Sequence, residues 1–532
     1  ALYVVGTIVG LAILLLVLVL PPISILSGDG EGEIPSGPGV SDTLTSRVRG
    51  GMPKLPAGLV SASAMFDLSA PEDQRGASAI TVPLKEQQTD ARTLGLYTYV
   101  DGNWQRLGDV TLVGGGSDAR AEVSALPGNV AVLRRSQASL VVAGSVSAGH
   151  QVSERAASAL TTLHPVVFIP ADDGSLAGTP PAVPPASYNV VPTIITLSSD
   201  VVDNILRAAD LRARHATAIA DAVKQGNYEG INIDYRSVNP QLQAEFTNFI
   251  ELVDEALEAD SRSLTVTLPM PRREDGEMQT GAYDWAALGR LADTIEMAGE
   301  LDQELYFQNT EAALEYVVDQ VEPSKVLLGV SALSIERGGD GLRTMPLDEA
   351  LGLAATVSVK ATDAIVTSSP VQVVAQNLAV SEGASGMQWD DVARSVTFSY
   401  PGRGGKRTVW IANEFSIAFR IELAKRYGLG GIAVNDVSVE GGSADIWAPV
   451  QQATDTGDVV LAKPNGELFI PAWSANAGAM TPATGDAVTW SAPGEPGTYE
   501  ITIVVSDGVV RAGRVVQLDV TSPAPPPDET AE

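Results

Sequence analysis

Three polar side chains occupy alternate positions in one short apolar run, Gly230-Ile231-Asn232-Ile233-Asp234-Tyr235-Arg236. On a strand, that alternation sends Asn232, Asp234 and Arg236 to a single face. A side chain that moves protons must be able both to hold one and to release it. Arg236 cannot act as the acid, because its guanidinium stays protonated at physiological pH and carries donors only. From the residues alone, Asp234 and Arg236 read as a buried ion pair, each offsetting the other's desolvation. Further carboxylates that could move protons, Glu296 and Glu300, stand near another strand end, and Glu229 directly precedes this one. Histidine occurs three times (His150, His164, His215) without paired spacing, and cysteine is absent. Disulfides, thiolate metal sites and cysteine nucleophiles are excluded, and no metal or other cofactor is expected.

The elements that would hold these residues follow a strand–helix rhythm from about 138 to 453. Strand candidates are 140–143, 165–169, 190–196, 230–235, 264–268, 294–297, 326–330 and 430–434, with helical patterns at 201–224, 240–259, 310–321 and 414–427. Eight such repeats predict a (β/α)8 TIM barrel, which commonly needs about 250 residues. The excess falls at about 345–410, where Met387–Asp390 and Val396–Tyr400 flank a possible hairpin, with a Pro-Gly-Arg-Gly-Gly turn soon after. Residues 56–136 alternate in short runs, with a turn at Asp101-Gly102-Asn103, and predict a small antiparallel β-sandwich. A second all-β pattern covers 456–521, a Pro-rich disordered tail covers 522–532, and a Gly/Ser/Pro-rich flexible linker covers 28–55.

The segment Glu229–Arg236 resembles the D-G-x-D-x-D-x-E motif of family-18 glycoside hydrolases, the chitinases and their spore-cortex and peptidoglycan-acting relatives. "FTNFIELVDEALEADSRSLTVTLPMP", "YDWAALGRLADTIEMA", "VEPSKVLLGVSAL" and "IELAKRYGLGGIAVNDV" resemble the later barrel repeats of the spore-type members, in the same order. In that family the substrate's acetamido group assists hydrolysis, an aspartate orients it and the closing glutamate protonates the leaving oxygen. The resemblance matches Asp234 to the aspartate, puts Asn232 and Glu229 in place of two others, and puts Arg236 in place of the acid. It also sets Met297-Ala298-Gly299-Glu300 against Met-x-Tyr-Asp, and Asn435 against the tryptophan that floors the sugar site. It therefore implies the barrel together with a degenerate site and no expected catalytic residue. Trp285, Tyr283, Trp389 and Trp410 are the candidate glycan-stacking residues, weighed against ordinary packing roles. "TWSAPGEPGTYEITIVVSDG" resembles the late strands of bacterial immunoglobulin-like modules.

Charge narrows the partners. With 34 Lys+Arg against 65 Asp+Glu the net charge is -31, which repels phosphate backbones and excludes nucleic acid as an expected partner. Residues 1–20 are almost wholly apolar and no charge precedes Asp29, so a membrane-spanning anchor within 1–27 is expected. No Lys or Arg follows it until Arg47, which places the bulk of the chain outside the cytoplasm. The expected function is a single-pass, envelope-exposed pseudo-glycosidase that binds cell-wall glycan or protein partners, or serves as a structural subunit of an envelope complex. The alternative is an active hydrolase of peptidoglycan or chitin-like N-acetylated glycans using relocated carboxylates, Glu296 or Glu300.

Overall fold

The computed structural model describes residues 45–523, apart from 56–58, 70–75, 136–139, 180–186 and 440–445 and single residues 77, 90, 92, 101, 197 and 362. The expected anchor at 1–27, the linker before residue 45, Asp101 and the tail beyond 523 lie outside these residues. Among the described residues, no helix is long and apolar enough to cross a membrane. The chain divides into two compact units, 1–134 and 135–532.

In the first unit, period-two patterning builds two antiparallel sheets. Leu94 and Leu96 on one strand and Val130 and Val132 on its neighbour face Ile80 and Val82 of the second sheet. The opposite faces of the same strands carry Tyr97, Ala131 and Leu133, which pack on Leu59 and Met65. Both faces of the central strands are therefore buried. One expectation changes here: the flexible linker was expected to run to residue 55, yet Thr45–Val48 already pairs with Phe66–Ser69. Arg49 secures that edge with two hydrogen bonds to Asp67, at 2.6 and 3.2 Å.

The second unit is built on a closed ring of eight parallel strands: β1 (Val141–Ser147), β2 (Thr162–Pro170), β3 (Thr193–Ile195), β4 (Gly230–Asp234), β5 (Ser263–Leu268), β6 (Thr294–Met297), β7 (Val326–Ser331) and β8 (Gly431–Asn435). Closure comes from β8 pairing with β1, Val141 opposite Gly431. Only glycine fits there, since a Cβ on Gly431 would stand 1.9 Å from the Val141 carbonyl oxygen. Strand β4 is buried along its whole length. Its outward side is fixed by Tyr235, whose hydroxyl lies 2.7 Å from His215 Nε2, while Nδ1 of His215 donates to the Gly174 carbonyl at 2.9 Å. The helix expected over 201–224 is two helices, Ser199–Arg207 and Ala209–Gly226, separated by Ala208 in an extended conformation. Asn227 closes the second in the left-handed region, as a short polar side chain allows.

Between β7 and the helix Glu414–Arg426 lies the expected insertion. It forms a five-stranded antiparallel sheet from Ser334–Gly338, Gly341–Met345, Gln388–Asp390, Ser395–Gly402 and Gly405–Ile411. Buried Glu336 pins this sheet, accepting from Tyr400 at 2.5 Å and from Arg343 and Arg407 at 2.9 Å each. Two more insertion strands, Val357–Lys360 and Pro370–Ala375, pair with each other outside it, and Pro370–Ala375 also pairs with Ala487–Ser491 of the tail. The all-β pattern of 456–521 therefore does not make a separate module. One of its sheets takes two strands from the insertion, and Val371, Val373, Val488, Trp490, Ile501 and Ile503 are buried together. Each such aliphatic side chain stabilises the arrangement by roughly 1.5–3 kcal/mol. Asn413, which caps the helix Glu414–Arg426, also donates to buried Asp507 of the tail at 3.3 Å.

Candidate functional site

A cavity of about 430 Å³ opens at the C-terminal ends of the barrel strands. Asn232, Asp234 and Arg236 all line it, so the face expected from their alternation is the inward one. Arg236 grips Asp234 with both arms of its fork, Nε to Oδ1 at 2.6 Å and Nη2 to Oδ2 at 2.7 Å. Burial drives the Asp234 carboxyl above the ordinary range, Arg236 opposes this, and the charge of Glu296 adds to it. Each Asp234 oxygen thus accepts one hydrogen bond from Arg236. Glu229 is not part of the cavity; it precedes β4 and accepts from the Val190 amide at 2.8 Å.

Two other carboxylates reach the cavity, in contrasting states. Glu300 is buried and saturated. It accepts from Arg272 at 2.5 and 3.4 Å, from Asn309 at 2.7 Å and from the Asp302 amide at 2.9 Å. Burial would raise its pKa, but these donors outweigh it and hold the carboxyl below the ordinary range. With these four donors on it, the carboxylate braces the loop after β6. Glu296 is less committed. Its Oε2 lies 3.0 Å from Thr267 Oγ1, which is also 3.0 Å from Asn232 Oδ1, and its Oε1 faces His164 Nε2 at 3.7 Å. Turning the Asn232 amide over makes the chain consistent: Thr193 donates to Asn232, Asn232 to Thr267, and Thr267 to Glu296. His164 approaches from β2, on the opposite side of the ring from β6. Burial lowers its pKa against the pull of Glu296, and among the described residues its Nδ1 has no partner.

Gly299 and Asn435 also line the cavity. A Cβ on Gly299 would stand 2.3 Å from the Gly329 carbonyl oxygen, so the backbone as folded leaves no room for any side chain there. Asn435 accepts from Ser145 at 3.2 Å at the exposed end of β8. Of the four candidate stacking residues, only Trp410 borders the cavity, and it is 2% exposed, with Arg337 5.6 Å from its ring centre. The other three do not line it. Trp285 and Tyr283 are buried away from the cavity, and Tyr283 donates to the Tyr235 carbonyl at 2.7 Å, its own pKa pushed up to about 12 by burial. Trp389 packs on Phe419 outside the cavity. Among the described residues, no group of three or more histidine, aspartate or glutamate side chains could hold a metal ion.

The sequence reading passed over Arg420, Gln303 and Thr267, all of which line the cavity. Arg420 could have been found, because it shares a helical face with Ile417, Ile421 and Ala424, where a polar residue is out of place.

A closed eight-stranded parallel barrel with its cavity at the strand C-termini is the architecture of a TIM-type barrel protein. Residues 199–439 match the family described as glycosyl hydrolases family 18, and this second unit carries a family-18 glycosidase-type barrel. The uncharacterized glycosylase YvbX of Bacillus subtilis (strain 168) is 24% identical over 279 residues, covering 51% of this chain and 73% of that protein. A cortical fragment-lytic enzyme of Bacillus anthracis is 20% identical over 264 residues, covering 46% of this chain and 56% of its own length. Similar solved structures include a chitinase from Chromobacterium violaceum ATCC 12472 (19% identity, TM-score 0.46, 60% of this chain and 99% of that one). Another is the spore cortex-lytic enzyme SleL of Bacillus megaterium QM B1551 (19% identity, TM-score 0.46, 62% and 78%).

Proposed function

We propose that this protein binds N-acetylated cell-envelope glycan in its barrel cavity without hydrolysing it, and presents that barrel from a membrane anchor formed by residues 1–20. The observation that carries this reading is the fork of Arg236 closed on Asp234, at the strand end where a proton donor would have to stand. Gly299 and Asn435 supply neither a hydroxyl nor an aromatic floor, and loss of a general acid alone costs about 10²–10⁴-fold in rate. The glycan class comes from the family match and from a relative named for lysis of cortical fragments. Titration of the purified chain with chito-oligosaccharides and peptidoglycan fragments tests it. Saturable binding with no product supports the proposal, and turnover overturns it.

A second reading rests on Glu296, the cavity carboxylate that is neither clamped by an arginine nor saturated. As a relocated acid it would make the protein a hydrolase of the same glycans. Turnover abolished by Glu296→Gln would support this reading, and turnover that survives the substitution would dismiss it.

A further inference from the structure

Arg420 is a buried positive charge on the cavity wall, 6% exposed. Its Nη1 donates to the Ser416 carbonyl at 2.7 Å and its Nη2 to Gln303 Oε1 at 2.6 Å, while its guanidinium carbon lies 4.4 Å from the centre of the Tyr306 ring. The Tyr306 hydroxyl interacts with it as well, all three partners are neutral, and a guanidinium has five N–H donors, so part of its capacity is unused. Among the described residues, no carboxylate comes within ion-pair distance of it. The carboxylate of Glu300 on the same wall is taken by Arg272. Arg394 adds a second positive charge nearby, held over Phe307 at 4.1 Å and Phe419 at 5.3 Å. Burial works against the charged form of Arg420, and a desolvated charge with no counter-charge is the arrangement a bound anion would relieve.

We propose that Arg420 anchors an anion subsite in this cavity that takes the carboxylate of an acidic saccharide. The saccharide rests on the glycan-binding reading above; the anion does not. A carboxylate fits better than a phosphate because Asp234 and Glu296 line the same cavity and would repel a second negative charge. The planar fork of arginine matches a carboxylate in two-point contact. Gln303 and Ser416 hold the guanidinium in place, leaving its remaining N–H groups for the ligand.

The test uses the full chain and three probes. Sodium lactate supplies the carboxylate alone. The disaccharide of N-acetylglucosamine and N-acetylmuramic acid supplies it on a sugar, and the methyl ester of that disaccharide is the neutral control. Lactate is expected to raise the melting temperature above that in an equal concentration of chloride, and the free acid to bind at least about tenfold more tightly than the ester. Arg420→Gln is expected to abolish both effects. Because that variant could fail to fold, Gln303→Glu provides an independent check by placing a carboxylate against Nη2. It is expected to raise the melting temperature of the unliganded chain and to erase the preference for acid over ester while ester affinity is kept. Equal affinity for acid and ester in the unsubstituted chain would overturn the subsite and leave glycan binding standing. Stabilisation by lactate with neither sugar binding would leave the subsite standing and overturn the glycan reading. Absence of both lactate stabilisation and acid preference, or a Gln303→Glu chain that is no more stable and keeps the preference, would overturn the subsite.

Discussion

Replacing Arg236 by methionine tests how the strand end is held together. Asp234 is 9% exposed, whereas the Arg236 side chain is 52% exposed, so the two partners do not lose the same amount when the pair is broken. Breaking a fully buried pair costs about 3–5 kcal/mol and an exposed one about 0–1 kcal/mol. Water screens the outer half of this pair, which places Arg236→Met between those limits, at about 1–3 kcal/mol at pH 7. Asp234→Asn should behave in the opposite way. Burial raises the Asp234 pKa even with Arg236 in place, so its ionised form is a burden on the native state. An amide lifts that burden and leaves a half-exposed arginine that water solvates. Asp234→Asn is therefore expected to be neutral or stabilising at pH 7. The pH dependence follows from the same shift. A carboxyl whose folded pKa lies above its unfolded value makes the protein gain stability as pH falls from neutral through the folded value toward the ordinary one. This contribution should be steeper in Arg236→Met and missing in Asp234→Asn. Urea denaturation at pH 7 and pH 5, followed by tryptophan fluorescence, measures both. If Asp234→Asn destabilises the protein as much as Arg236→Met, the pair is a net stabilising bridge and the reasoning fails.

Other substitutions separate structure from binding. Glu300→Gln removes the charge from a carboxylate held by four donors and should cost about 1.5–3 kcal/mol by urea denaturation at neutral pH. Because the folded pKa of Glu300 is depressed, the contribution is present above its unfolded value and is lost as pH falls through the folded value, so wild type and variant should converge in acid. Gly299→Ala drives a Cβ to 2.3 Å from the Gly329 carbonyl and is expected to cost about 1–3 kcal/mol, seen as a lowered urea midpoint. Ending the chain at residue 456 strips the partner strand from Pro370–Ala375 and exposes Val371 and Val373; the shortened chain should melt at a lower temperature, and an isolated 456–523 peptide should lack a β-sheet circular dichroism signal.

The barrel was legible because each strand is a short apolar run between polar helices, and all eight occur within a few residues of their expected positions. Strand β4 could be read to the level of a shared face, since alternation alone put Asn232, Asp234 and Arg236 together, and that face lines the cavity. What escaped depends on partners distant in sequence. Nothing local in Pro370–Ala375 says that it pairs with Ala487–Ser491, so the tail looked self-sufficient. The hydrogen bonds on Glu300 were not legible because Arg272 and Asn309 come from another loop and the next helix. Trp285 and Tyr283 were plausible stacking residues by type, but their position beneath the helix layer is set by packing, which composition does not encode. The break at Ala208 left no mark in the apolar periodicity of either helix.

Glycan hydrolysis and glycan binding measured side by side on the same purified chain bear most directly on the central claim. Chito-oligosaccharides and N-acetylmuramic acid-containing fragments are incubated at about pH 5 to 8, products are followed by mass spectrometry, and affinity is followed by calorimetry. Saturable binding is expected at every pH, with product formation no higher than in the Asp234→Asn, Glu296→Gln double variant. Product formation well above that background, and lost on Glu296→Gln, would contradict the account.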